Sequence, residues 1–88
     1  MPELKDLIPR IKIADLDPGN SIKVDSGDYV VQVQVKADET VVTLEYVGSG
    51  PGWAVVKVVN PSPEADLADL IEVLKKAIDS VIQHQRKD

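Results

Sequence analysis

Cysteine is absent from this 88-residue chain, and so is phenylalanine. Without Cys no disulfide staples the fold, and with a single His the usual structural zinc sites are excluded. Aromatic residues are scarce, limited to Trp53, Tyr29 and Tyr46. A positive surplus is also missing: the formal net charge is −5, so nothing suggests the basic face that nucleic acid or an anionic membrane surface requires. No apolar run approaches the ~20 residues that span a bilayer. The first residues, Met1-Pro2-Glu3-Leu4-Lys5-Asp6, lack the apolar stretch of a signal segment, which sets a cytoplasmic expectation. What remains is an aliphatic, Val-rich chain of one-domain size, which must draw its stability from a dense core or from self-association.

The apolar residues fall into two periods. Pro2 to Ile8 reads as one or two helical turns, with Leu4, Leu7 and Ile8 on one stripe and Pro9 as the stop. From Arg10 the period is two. Arg10–Ala14, Ser21–Asp25, Tyr29–Lys36, Thr40–Val47 and Trp53–Val59 each alternate, and turn residues separate them (Asp17-Pro18-Gly19-Asn20, Ser26-Gly27-Asp28, Ala37-Asp38-Glu39, Gly48-Ser49-Gly50-Pro51-Gly52). In the third run Tyr29, Val31, Val33 and Val35 share one face, while Gln32, Gln34 and Lys36 share the other with Val30. That is the pattern of a sheet with one buried and one wetter face. The connections are short, which favours an antiparallel meander over parallel crossovers.

The period then becomes helical. Leu67, Leu70, Ile71, Leu74, Ala77, Ile78, Val81 and Ile82 form a wide apolar stripe. Ser62 as N-cap, Pro63 at the first helical position and Glu64 and Asp66 in the first turn predict a helix from Pro63 to about Arg86. The expected fold is therefore α+β: a curved antiparallel meander of about five strands against one long C-terminal helix, in a single domain over residues 1–88.

Few residues suggest chemistry. His84 has no neighbouring carboxylate in sequence and reads as an exposed helix-end residue. Asp15, Asp17 and Asn20 cluster, but Pro18 interrupts the spacing of a calcium loop and turn chemistry explains them. The Gly-rich stretch at 48–52 feeds a strand and carries no Lys, unlike a phosphate-cradling loop. Glu45 alternates with Leu44 and Tyr46, which places it on the wet face, paired with Lys57 or Lys36. Trp53 lines a cavity mouth, caps the core edge or sits in an interface. Tyr29 and Tyr46 share the inward face, and each hydroxyl there needs a partner. No nucleophile, base and orienting group assemble, so the reading is non-catalytic, with no cofactor and no metal.

The element order also resembles a known family. A short Pro-bounded helix (Pro2 to Pro9) runs into Arg10-Ile11-Lys12-Ile13, and a meander and a long C-terminal helix follow. This is similar to the later part of the helix-grip superfamily, the Bet v 1/START-related (SRPBCC) domains, over most of the chain. The resemblance implies a sheet gripping the helix, with lipid, sterol or another hydrophobic small molecule between them. Candidate lining residues are then Val31, Val33, Leu44, Tyr46, Leu70 and Leu74, with Trp53 near the mouth. The alternative is a structural or interaction module, a homodimer joined through the outer sheet face where Val30, Val41, Val47, Val55 and Val59 lie. The clean alternation and the absent Cys and Phe also suit a designed or trimmed domain without ligand.

Overall fold

In the computed structural model the described residues are 4–48 and 53–86. Pro2, Glu3, Lys87 and the Gly-rich stretch at 49–52 lie outside them. Alternation and turn chemistry produce four strands: β1 (Ser21–Ser26), β2 (Tyr29–Val35), β3 (Thr40–Tyr46) and β4 (Ala54–Val59). They form one antiparallel sheet in the order β1-β2-β3-β4. Gly27, with φ +67°, occupies the first position of the two-residue loop between β1 and β2, where a type II′ hairpin turn demands a positive φ. The inward faces follow the period-two reading, because neighbouring strands are locked in register: Val31 lies opposite Leu44, and Leu44 opposite Val56.

The helix α1 (Leu67–Arg86) lies across this inner face. Leu67, Ile71 and Ile78 have no accessible surface, and Leu74 and Ile82 are also buried. Ala77 and Val81, expected on the same stripe, are exposed, so the buried arc is narrower than the apolar arc. The helix also starts later than its sequence predicts. Asp66 is the capping residue, its Oδ1 accepting from the Asp69 N–H at 3.2 Å, whereas Ser62 to Ala65 forms a turn closed by Ala65 N–H to Ser62 O (3.1 Å). The carbonyls of Pro63 and Ala65 are engaged elsewhere, accepting from Ala14 and Ile13 at 3.0 and 2.9 Å.

Those bonds correct the five-strand expectation. Arg10–Ala14 is no sheet strand. It touches the chain just ahead of α1 through a bridge between Lys12 and Asp66, and Leu67 N–H donates to Ile11 O at 2.8 Å. It then tightens into a 3₁₀ turn, Ile13–Asp15. Only a few residues separate Pro9 from that turn, too few for a ladder. A second 3₁₀ turn, Leu4–Leu7, precedes it. Leu4, Ile8, Ile13 and Leu16 are buried, while Leu7 is 41% exposed and leaves the predicted stripe. The inner face is thus covered jointly: α1 lies on the β3–β4 side, and the Leu4–Leu7 turn reaches both β1 and α1.

Candidate functional site

The middle of the layer between helix and sheet is closely packed. Val31, Val33 and Leu44, three of the candidate lining residues, have zero accessible surface. Even a water-sized void beside them would leave some surface accessible, so none adjoins them. Tyr46 and Leu74 are also buried, whereas Leu70 is half-buried on the flank of the helix. Trp53 stands apart from the other six, 60% exposed at the start of β4. The structure therefore brings five of the seven together as packed core and leaves Leu70 and Trp53 at its margin.

The two tyrosines stack edge to face, centroids 5.5 Å apart. The Tyr29 hydroxyl donates to Asp79 of α1, and Asp79 also takes the Lys75 ammonium at 3.1 Å. Lys75 Nζ stands 5.4 Å from the Tyr29 ring centroid. Asp28 and Gln83 complete a surface cleft of about 270 Å³ at this end of the sheet. Burial first, then the hydrogen bond to Asp79 and its negative charge, push the Tyr29 phenol well above its usual range. This cluster pins the helix to β2.

The cluster also sets a pH dependence. Below the unfolded phenol's pKa of about 10, Tyr29 is neutral in both states and its contribution is complete. Above it the unfolded state ionises first, so stability declines as pH rises toward the folded value. Tyr29→Phe is expected to lower stability by about 1 kcal/mol at neutral pH. Urea titrations from neutral pH to above pH 10 should show a shallower alkaline loss in the variant; equal slopes would contradict the assignment.

The apolar surface gathers elsewhere, along the open side of β4. The centre of the outer sheet face is polar, a shallow hollow of about 240 Å³ among Gln32, Gln34, Lys36, Glu39 and Lys57, with half-buried Val41 and Thr43 also lining it. The exposed large apolar side chains of the outer face are Val47, Val55 and Val59, 43–49% accessible, together with Trp53. Glu45 is on this face, as the alternation predicts, but the partner recorded for it is the Trp53 indole N–H, at 3.0 Å, instead of Lys57 or Lys36.

Register fixes which backbone groups are open. Asn60 N–H donates to Thr40 O at 2.7 Å, in line with Val41 opposite Val59. In an antiparallel ladder this directs the N–H and C=O of Ala54, Val56 and Val58 toward β3, and those of Val55, Lys57 and Val59 away from the sheet. The same parity turns Trp53 outward. There the Gln85 carboxamide takes both groups, accepting from Trp53 N–H (2.9 Å) and donating to Trp53 O (3.0 Å). The C-terminal end of α1 therefore stands at the free edge of β4.

Helix geometry shows which flank overlooks that edge. Asp79 turns one flank toward Tyr29 of β2. At 100° per residue the opposite flank carries Leu70, Val73, Ala77, Val81 and His84, with no formally charged side chain. Val73 and Val81 are 62% and 44% exposed, and a hollow of about 420 Å³ opens among Ser80, Val81, His84 and Gln85. Sequence periodicity placed Val81 and Ala77 in the core, and their exposure is the signal it missed.

Among the described residues no group of three His, Cys, Asp or Glu is arranged to hold a metal. No helix among them is long and apolar enough to cross a membrane. No family model matches the chain, and no curated protein and no solved structure matches it.

Proposed function

We propose that this chain is a non-catalytic interaction module that joins a second copy of itself along the β4 side. The observation that carries the reading is the coincidence of an unpaired Val-rich strand edge with an apolar, uncharged helix flank above it. Such edges are commonly shielded by charge, proline, bulges or a covering segment. Among the described residues only Lys57 and the Gln85 carboxamide interrupt it. The charge distribution agrees: the chain carries −5 overall, yet Ala54–Val59 and the helix flank contain no acid.

The contact is modest. Six strand residues span ~20 Å and the molecule is 19 Å across its thinnest dimension. The projected face is then about 400 Å² per copy, or about 800 Å² in total, below the ~1,200 Å² at which stable interfaces begin, so only a weak, reversible, concentration-dependent dimer is expected.

Sedimentation velocity between about 10 µM and 1 mM tests the reading over the range suited to a weak interface. The wild-type chain should move from monomer to dimer. Val81→Asp should weaken the dimer about tenfold, by placing a charge in the contact, while leaving the thermal transition nearly unchanged. A chain that stays monomeric at the highest concentration, or a dimer indifferent to Val81→Asp, sinks it.

The hollow beside Val81 and His84 favours a second reading, a hydrophobic small molecule held by the chain. Its volume lies in the range of ligand sites. Saturable one-to-one binding of an apolar dye by the monomer, lost in Val81→Asp, would select this reading over the first.

A further inference from the structure

From the edge chemistry we infer that the two copies pair β4 against β4 antiparallel, with the twofold axis passing at Lys57. The two sheets then become one continuous eight-stranded sheet. The inference rests on the self-association reading above and specifies its register.

A twofold pairing of one edge with itself must set outward-directed residues opposite one another, because only those have free N–H and C=O groups. Three axes are then worth comparing: at Val56, at Lys57 and at Val58. An axis at Val56 brings Val59 of the second copy opposite Trp53, whose two edge groups are already bonded to Gln85. Pairing there would require breaking both bonds in each copy. An axis at Val58 sets Val55 opposite Pro61, which has no N–H to give, and the chain has already turned at Asn60, with φ +53°. Only Lys57 and Val59 would then pair.

An axis at Lys57 uses every free group. Val55 faces Val59 of the second copy, Lys57 faces its own copy, and Val59 faces Val55. That makes about six inter-copy backbone hydrogen bonds, with Gln85 still in place on Trp53. The wet face carries two valine pairs flanking the axis. On the inner face the partly buried Val56 lies directly opposite Val58 of the second copy, and Val58 opposite its Val56, beneath the apolar flanks of the two helices.

The cost is local. Two ammonium groups meet directly across the axis, and like charges opposite one another weaken a ladder pair. Lys57 is therefore a brake on the pairing, keeping it reversible without preventing it.

This register predicts a result that other arrangements do not share. The chain has no cysteine, so single cysteines at positions 55 to 59 report cross-linking cleanly. Under mild oxidation Lys57→Cys should give the highest yield of disulfide-linked dimer, since a residue on the axis meets its own copy at disulfide distance. Independently, wild-type chain mixed with Lys57→Glu should form heterodimers well beyond the statistical share of about half, because opposite charges then face each other. Lys57→Glu alone should dimerise no better than wild type.

A cross-linking maximum at Val56→Cys or Val58→Cys, or statistical mixing, overturns the register while leaving self-association intact. A wild-type chain that is monomeric throughout overturns both.

Discussion

Ile13→Asp is expected to abolish the cooperative thermal transition near neutral pH. Ile13 is 6% exposed, in the N-terminal segment bound to the chain ahead of α1. Losing its burial costs about 2–5 kcal/mol, judged from comparable truncations. An unpaired carboxylate at the same place costs several kcal/mol more, through desolvation. The total approaches the whole stability of a domain this size, on the order of 5–10 kcal/mol. Circular dichroism on heating measures it. Ile11→Asp, at a half-buried neighbour, should leave a transition at lower temperature. If Ile13→Asp melted within a few degrees of wild type, the N-terminal segment would not be part of the core.

Leu44→Ala should be nearly as damaging. Leu44 sits in the middle of β3 with no accessible surface, opposite Val31 on one side and Val56 on the other. Truncation leaves a cavity that close-packed neighbours fill only in part, so the cost is about 2–5 kcal/mol. In a domain of this size that lowers Tm by about 10 °C or more. Gln32→Ala, exposed on the wet face of β2, should change stability by less than about 0.5 kcal/mol. Urea unfolding of the three proteins checks the contrast. A loss below about 1 kcal/mol for Leu44→Ala would mean that the helix and sheet are not closely packed there.

The two variants differ in how legible their sites were. Leu44 was readable because alternation is local: each residue's face follows from its neighbours two positions away. The same rule predicted the inward Tyr29, Val31, Val33 and Val35 and the outward Glu45, all of which hold that orientation. Ile13 was misread for the same reason. Arg10–Ala14 alternates like a strand, but whether an extended segment joins a sheet depends on which carbonyls it meets, and these came from Pro63 and Ala65, about 50 residues away along the chain. The N-cap moved for the same cause. Ser62-Pro63 carries good capping chemistry, yet those long-range bonds hold the stretch out of the helix and pass the role to Asp66.

The candidate site was legible only in its ingredients. Val55, Val59, Trp53 and Val81 were all visible as apolar residues. That they gather on one side follows from three tertiary facts: β4 is an edge strand, Asp79 is held by Tyr29, and Gln85 reaches Trp53.

Sequence alone determined the type of four strands and the long helix, most of their boundaries and the facing of nearly every strand residue, since these depend on dihedral preference and on patterns a few residues long. Tertiary structure decided which extended segments pair, how much of the helix stripe is buried and where the uncovered apolar surface lies. Those outcomes turn on contacts between distant parts of the chain, and no local period encodes which partner a backbone group or a hydrophobic flank will find.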